Sequence, residues 1–296
     1  MVLSLENLSK QYGPLTAVSN LSLSIDKGSI YGILGPNGSG KTTTLGIVLG
    51  VTNATSGKYS WFDGAGDAKE YRKRVGSILE TPNFYHYLSA YANLKIAADI
   101  KGVKYSEIDK ALEAVNLTAR KDSKFSAFSL GMKQRLAIAS TMLGNPEVMV
   151  LDEPTNGLDP AGIAEIRELI LKIAKEGRTI ILASHLLDEV ERVCTHVAVL
   201  QKGKLLASGS VSEVLAGEDL IEVGADNFEK LEAAAKANSN IKSMRKNSSG
   251  RLEISTGKAM TPAEINEYFY KQGITVSHLM LRKKSLEARF LELTKS

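Results

Sequence analysis

Hydrophobic positions near the start of the chain alternate with polar ones, as in half-buried β-strands. Leucines occupy positions 3, 5 and 8, and a second alternating stretch runs from Val18 to Ile25. Glycine-containing segments at 12–14 and 26–28 interrupt the pattern and are typical of turns. The apolar run Ser29–Leu34 ends in a glycine-rich segment, so it predicts a buried strand.

Downstream, helical spacing of apolar residues alternates with short apolar runs. A helix is predicted from Lys41 to about Leu49, and residues 85–145 are mostly helical in pattern. The next predicted elements are a strand at Val148–Leu151, a helix at Ile163–Ile173, a strand at Thr179–Ala183, and a hairpin of Val197–Leu200 with Lys204–Ala207. Strands that alternate with helices indicate an α/β fold with a largely parallel sheet.

The pattern changes after about Leu215, so we predict a domain boundary there, with domains at 1–215 and 216–296. The second part predicts, in order, a strand at 220–223, a helix at 227–237, strands near 241–245 and 251–254, a helix at 262–272, a strand at 275–281 and a helix from Ser285 to Leu293. The βαββαβ order of the first six elements is typical of a small α+β ferredoxin-like domain.

Composition narrows the class of protein. The 296 residues are 43% hydrophobic and 24% charged, which is ordinary for a soluble globular protein. No apolar run approaches the ~18 residues of a membrane span, and the first ten residues do not resemble a signal peptide. The single cysteine, Cys194, excludes an internal disulfide and a cysteine-based zinc cluster, and indicates a reducing, cytoplasmic compartment. A formal net charge of +4 is too small to indicate a nucleic-acid-binding surface.

One segment carries a specific chemical signature, G-x-x-x-x-G-K-[ST]. It reads Gly35, Pro36, Asn37, Gly38, Ser39, Gly40, Lys41, Thr42, and Thr43 follows. Such a loop points successive backbone N–H groups at phosphate, and the helix that begins near Lys41 adds a partial positive charge. Lys41 is predicted to reach the β- and γ-phosphates, and the Thr42 hydroxyl to ligate Mg²⁺.

Two further strand ends carry candidate catalytic groups. Asp152 and Glu153 follow Val148–Leu151, and ligands of open α/β sheets bind at the carboxyl ends of strands. Asp152 fits the carboxylate that holds Mg²⁺, and Glu153 fits a group that orients or deprotonates the attacking water. His185 ends another apolar strand, from which its imidazole would reach the γ-phosphate or the water.

Several motifs, in order, resemble the nucleotide-binding subunits of ABC transporters over about residues 1–215. The phosphate loop is followed by Phe128–Arg135, by Asp152–Pro160 and by Ser184-His185. This resemblance implies a P-loop NTPase with a helical subdomain at about 81–145, ATP as substrate and Mg²⁺ as cofactor.

The same resemblance assigns roles to residues outside the phosphate loop. In the family, two such domains sandwich two ATP molecules, so Ser129 and Gly131 would contact the γ-phosphate held by a partner domain. Tyr12 matches the aromatic residue that stacks on adenine, and Asp159 matches the residue that links the two sites. The subunits would form a homodimer or a heterodimer.

Two motifs depart from the common pattern of the family. The signature usually reads Leu-Ser-Gly-Gly-Gln, whereas this chain has Phe-Ser-Leu-Gly-Met at 128–132. Glu80 stands where the family usually has a glutamine, and its carboxylate would ligate Mg²⁺ through oxygen but donate no amide hydrogen bond. Both departures resemble the ABC-2 type exporters that handle peptide antibiotics of the bacitracin and lantibiotic type.

The resemblance also implies a partner. Transport would need a separate polytopic permease, which would place this chain at the cytoplasmic face of the membrane. The aromatic-rich segment 82–88 is either core of the helical subdomain or a receiving surface for a helix of that permease. Two alternatives stay open: an importer subunit, and a soluble ABC ATPase that acts on DNA or ribosomes. The chain has only one phosphate loop, and only about 85 residues separate Thr42 from Ser129. Both observations argue against the soluble class.

Overall fold

The chain forms two compact units, Met1–Val211 and Ser212–Ser296. They are seen in a computed structural model that describes residues 1–64, 68–215, 220–256, 260–282 and 286–294. The division between the units falls after Val211, whereas the sequence predicts a second domain that begins at residue 216. Residues 216–219 lie outside the described residues. Ser285, the predicted start of the last helix, also lies outside them.

The first unit contains two sheets. Its strands are β1 (Leu3–Tyr12), β2 (Leu15–Ile25), β3 (Ile30–Leu34), β4 (Ser56–Trp61), β5 (Val75–Ile78), β6 (Val148–Asp152), β7 (Thr179–Ser184), β8 (His196–Gln201) and β9 (Lys204–Ser210). One sheet is antiparallel, in the order β2-β1-β4. The other has the order β5-β6-β7-β3-β8-β9 and is parallel except at β9. This second sheet is the largely parallel sheet that the sequence predicts.

The helices connect these strands. They are α1 (Lys41–Val48), α2 (Ala68–Arg74), α3 (Ala90–Lys101), α4 (Ser106–Ala114), α5 (Leu130–Met142), α6 (Pro160–Lys175), α7 (Leu187–Val193) and α8 (Val211–Leu215), the last mostly in the second unit. Side chains that favour N-caps begin three of them, because each accepts a backbone hydrogen bond of the first turn. These caps are Ser89 on α3, Ser129 on α5 and Asp159 on α6.

The core of the first unit lies where the two sheets pack against α1. All residues of β3 and β6 are buried, as expected for strands covered on both faces. Leucines 3, 5 and 8 of β1 join the same cluster, which explains their alternation in the sequence. Because β5, β6, β7 and β3 run parallel side by side, their carboxyl ends meet at one edge of the sheet.

The second unit has its own core. Its further elements are β10 (Leu220–Ala225), α9 (Phe228–Ala237), β11 (Ser243–Lys246), β12 (Leu252–Ser255), α10 (Pro262–Lys271), β13 (Val276–Arg282) and α11 (Leu286–Thr294). The βαββαβ order is the predicted one, and the strands form an antiparallel sheet in the order β11-β12-β10-β13. Apolar residues of β10 and β12 pack against α9 and α10, with Phe269 fully buried.

Candidate functional site

The phosphate loop connects β3 to α1 at the edge where the parallel strands end. Gly40 has a φ of 102°, which favours glycine, and it precedes the first residue of α1, Lys41. A Cβ at Gly40 would lie 2.5 Å from the carbonyl oxygen of Ala17. Ala17 falls at a shift of register between β1 and β2, so an irregularity of the antiparallel sheet packs directly against the loop.

The ammonium of Lys41 is buried at the mouth of this loop. Its Nζ donates to the carbonyl oxygen of Gly35 at 2.8 Å and lies 3.2 Å from Oε1 of Glu153. A buried charge needs such partners because it has lost its hydration. The lysine is therefore held in place by a carboxylate that an incoming phosphate oxygen can replace.

A turn far along the chain supports the loop. The backbone N–H of Gly203, between β8 and β9, donates to the carbonyl oxygen of Ser39 at 3.0 Å. The Ser39 hydroxyl is buried and has no protein partner among the described residues. Sequence reasoning identified the β8–β9 hairpin but not its contact with the loop, because no local pattern reports a contact over this separation.

Asp152 lies beside Thr42, at the carboxyl end of β6. Burial raises the pKa of the Asp152 carboxyl above its ordinary value, and a hydrogen bond with the Thr42 side chain opposes that rise. Its Oδ1 is buried and has no hydrogen-bond partner among the described residues. A buried carboxylate oxygen without a donor, next to a hydroxyl, is a donor set that fits a Mg²⁺ ion.

Glu153 occupies the centre of the site, between Lys41 and His185. Its Oε2 lies 2.8 Å from Nδ1 of His185 and also accepts the backbone N–H of that residue at 3.4 Å. The Nδ1–H tautomer of His185 satisfies this contact and leaves Nε2 as an acceptor. Glu153 has a φ of 49°, an uncommon backbone conformation outside glycine that recurs at functional sites. The three predicted residues are thus brought together.

Glu80 completes the acidic edge of the site. It is exposed, follows β5, and has a φ of 59°. Burial is the main cause of the raised pKa of Asp152, and the negative charges of Glu153 and Glu80 raise that pKa further. Among the described residues, no group of three or more His, Cys, Asp or Glu side chains is arranged to hold a metal by itself. A cation here would therefore also need the Thr42 hydroxyl and phosphate oxygens.

The structure places Ser129, Gly131 and Asp159 outside this cluster. Ser129 accepts the backbone N–H of Met132 at 3.3 Å, and Asp159 accepts that of Gly162 at 3.0 Å, so both cap helices. Gly131 and the neighbouring Leu130 approach the turn at 157–158. No hydrogen bond within the described part of the chain joins these residues to the phosphate loop.

Tyr12 lies at the end of β1, which belongs to the sheet that packs against the loop at Ala17. Its side chain is 48% exposed. An aromatic ring that is half open to solvent offers a face on which a planar base can stack. The stacking role of Tyr12 stays a prediction.

Backbone hydrogen bonds tie the segment after Glu80 to the segment before Ser129. Ser126 donates to His86 at 3.0 Å, and Phe125 donates to Leu88 at 2.9 Å. We call segments 85–88 and 123–128 together the paired loops. Because of these bonds, the paired loops form one continuous piece of structure.

Asn93, a residue that sequence reasoning missed, fixes the first of the paired loops. Its side chain is buried, accepts the backbone N–H of Tyr85 at 2.8 Å, and donates to the carbonyl oxygens of Tyr85 and Ser89. The signal available in the sequence was a polar residue, Asn93, among the apolar residues that predict α3.

Comparisons with known proteins agree with this geometry. A family model described as ABC transporter matches residues 18–156. The bacitracin transport ATP-binding protein BcrA of Bacillus licheniformis is 37% identical over 99% of this chain and 97% of its own length. The lantibiotic transport ATP-binding protein SrtF of Streptococcus pyogenes is 42% identical over 69% of this chain and 89% of its own length.

A solved structure gives the same result for the fold. The ADP conformation of MJ1267, an ATP-binding cassette of an ABC transporter, is 25% identical and has a TM-score of 0.65. The match covers 73% of this chain and 94% of that one. No helix in the described ranges combines the length and hydrophobicity that a bilayer crossing requires. Together, the matched sequences, the fold and the phosphate loop show that this chain belongs to the ABC transporter family, as an ATP-binding subunit with the fold of a P-loop ATPase.

Proposed function

We propose that this subunit hydrolyses ATP to ADP and phosphate at the site around Glu153 and drives export through a separate membrane permease. The observation that carries the proposal is the position of Glu153 between Lys41, at 3.2 Å, and His185, at 2.8 Å. A carboxylate at the end of a strand beside a phosphate loop is suited to accept a proton from water.

Nucleotide binding begins at the phosphate loop. The backbone N–H groups of residues 35–40 (all except Pro36, which has none) and of the first turn of α1, with Thr42 and Thr43, surround the phosphates. Lys41 exchanges its contact with Glu153 for phosphate oxygens, and Tyr12 stacks on the base. Because Lys41 keeps its bond to the Gly35 carbonyl, it approaches the phosphates in a fixed direction.

Thr42 and Asp152 would hold Mg²⁺, and Glu80 would take the place of the usual glutamine beside them. When bound, the ion neutralises phosphate charge and orients the transferred group. The raised pKa of Asp152 means that protons compete with the cation at a higher pH than for an exposed aspartate. The charge of Glu80 strengthens attraction for the cation and removes the amide donor that a glutamine would supply.

Glu153 and His185 act on the attacking water. Glu153 accepts the proton from the water. When Lys41 moves to the phosphates, Oε1 of Glu153 becomes available to contact that water. His185 holds the opposite oxygen through Nδ1 and directs Nε2 toward the γ-phosphate region. The two side chains position each other through this contact, which lowers the reorganisation needed for reaction.

The active form is a dimer of nucleotide-binding subunits, as a homodimer or a heterodimer. Ser129 and Gly131 lie at the N-terminus of α5, where a hydroxyl, amide groups and the helix end favour an anion. In the dimer this surface meets the γ-phosphate held by the partner subunit, and Asp159 links the two sites. The Leu130 contact with the turn at 157–158 supports coupled movement of these two segments.

The permease partner docks on the helical subdomain, which places the subunit at the cytoplasmic face of the membrane. A groove of about 620 Å³ lies at the C-terminal end of α3, lined by Arg72, Lys73, Val75, Ile100, Lys101, Val103, Leu143 and Gly144. Ile100 is 82% exposed there. Arg72 and Lys73 are exposed cations of the groove, whereas the Lys101 ammonium is already held by backbone carbonyl oxygens. The groove therefore fits a short helix with an apolar face and an acidic flank beside Arg72 and Lys73.

Export of a peptide antibiotic is the transport direction and cargo class that the relatives favour. BcrA is named for bacitracin transport and SrtF for lantibiotic transport. Glu80 and the altered signature are the two features of this chain that resemble that branch. An importer subunit is the less favoured candidate.

Co-purification from native membranes tests the proposed partner. The tagged full chain should recover a polytopic membrane protein, and Ile100→Asp should abolish that recovery. Tyr270→Asp changes an equally exposed residue of the second unit and should leave recovery intact. Recovery of ribosomes or DNA from the soluble fraction, with no membrane protein, would refute the transport role.

A further inference from the structure

The ring of Tyr12 has a cation over one of its two faces. The Nζ of Lys10 lies 4.8 Å from the ring centroid, a distance at which an ammonium is attracted to the π-system. Lys10 and Tyr12 are two positions apart in β1, so their side chains leave the strand on the same side. The contact therefore follows from the strand itself.

A second bond holds the ammonium of Lys10 independently of the ring. Its Nζ donates to the carbonyl oxygen of Asn53 at 2.7 Å, in the loop that follows α1. The same loop is joined to β1 by the backbone of Thr55, which donates to Ser9 at 2.8 Å, and by its hydroxyl, which accepts from Gln11 at 3.0 Å. Lys10 is thus fixed to the loop that follows α1, the helix that begins at the phosphate loop.

Because of this arrangement, a nucleobase can stack on only one face of the Tyr12 ring. The ammonium covers the other face, and the ring is still 48% exposed. A ring held on one side keeps its orientation without nucleotide, so less conformational freedom is lost when a base stacks on it. The closed face also fixes which side of Tyr12 a nucleotide on the phosphate loop can use.

We infer that Lys10 is a positioning residue of the nucleobase site, which orients Tyr12 and directs the purine to its open face. This inference rests on the proposed stacking role of Tyr12. Lys10 contributes to the affinity for the adenosine part of the nucleotide and not to the affinity for its phosphates.

Calorimetry with ADP and with inorganic pyrophosphate, both with Mg²⁺, separates these two parts. On the full chain, Lys10→Met should weaken ADP binding about 2- to 5-fold and leave pyrophosphate binding unchanged. Lys10→Arg, which keeps a cation over the ring, should restore ADP binding. Lys58→Met is the matched control. Lys58 lies in the same sheet, and its ammonium forms an ion pair with Glu6 at 3.0 Å.

Tyr12→Ala distinguishes failure of this inference from failure of the proposed stacking. If Tyr12→Ala weakens ADP binding and Lys10→Met does not, the positioning role of Lys10 is wrong. If Tyr12→Ala leaves ADP binding unchanged, the stacking role of Tyr12 is wrong as well. Equal weakening of ADP and pyrophosphate by Lys10→Met, or no recovery with Lys10→Arg, would also overturn the inference.

Discussion

Replacement of Glu153 by glutamine separates two roles that this carboxylate has in the structure. Oε1 is a partner of the Lys41 ammonium at 3.2 Å, and Oε2 is a partner of His185 at 2.8 Å. Glutamine keeps the size but has only one acceptor oxygen, because its NH2 group is a donor, and it loses the negative charge and the ability to accept a proton from water. The substitution should therefore change hydrolysis and binding in opposite directions.

The expected magnitudes follow from these contacts. General-base catalysis contributes about 10²- to 10⁴-fold in rate, so turnover should fall by at least about 100-fold. A hydrogen bond to a charged group contributes about 1.5–3 kcal/mol, compared with about 0.5–1.5 kcal/mol between neutral groups. Lys41 should thus leave a glutamine about 1 kcal/mol more readily than a glutamate, which corresponds to about 5-fold tighter ATP binding.

Phosphate release under saturating ATP and Mg²⁺ measures the first effect, and calorimetry with ATP measures the second. Size-exclusion chromatography should show Glu153→Gln as a trapped dimer with ATP and Mg²⁺, with Glu168→Gln on the surface of α6 as control. Turnover within a few-fold of the unmodified protein would refute the base assignment. Weaker ATP binding would refute the competition between Glu153 and phosphate for Lys41.

Four other substitutions test separate parts of the structure. Lys41→Ala should weaken ATP binding at least about 10-fold by calorimetry, since a charged phosphate contact is lost. Asp152→Asn should abolish Mg²⁺-dependent phosphate release yet raise the melting temperature of the nucleotide-free protein at pH 7. The sign follows because a raised carboxyl pKa means that folding disfavours the ionised form, and this cost grows as pH rises. Gly40→Ala should lower both stability and nucleotide affinity, because its Cβ would meet the Ala17 carbonyl at 2.5 Å. Asn93→Ala should cost about 1–3 kcal/mol in urea unfolding, because the N–H of Tyr85 loses its acceptor and the carbonyl oxygens of Tyr85 and Ser89 lose a donor.

Much of the site could be predicted because its residues follow directly from local patterns. Short apolar runs that end in Gly35, in Asp152 and in Ser184 predicted three parallel strands, and these form β3, β6 and β7. Parallel neighbours share an edge, so the residues that follow them had to converge there. The βαββαβ order of the second unit was equally readable, since each strand and helix keeps its own periodicity.

Other elements carried too little local signal. β5 has only four residues, and one of them is Gly76. Glycine weakens a strand pattern, so periodicity did not predict this strand. The glycine is required there because a side chain would collide with the Thr141 carbonyl of α5, a contact between distant parts of the chain. The strand β4 and the helix α7 were likewise not predicted. The contacts of Ala17 and Gly203 with the phosphate loop depend on tertiary packing, which no single segment reveals.

The paired loops have a consequence for the response of the enzyme to ATP concentration. In the proposed dimer, one of them follows Glu80, which would face the nucleotide of its own subunit, and the other precedes Ser129, which would face the nucleotide of the partner. Since Ser126 and Phe125 bond one loop to the other at 3.0 and 2.9 Å, we expect occupancy of one pocket to shift the surface that the other pocket needs. Hydrolysis should then rise with ATP more steeply than a hyperbola, with a Hill coefficient between about 1 and 2 for two sites.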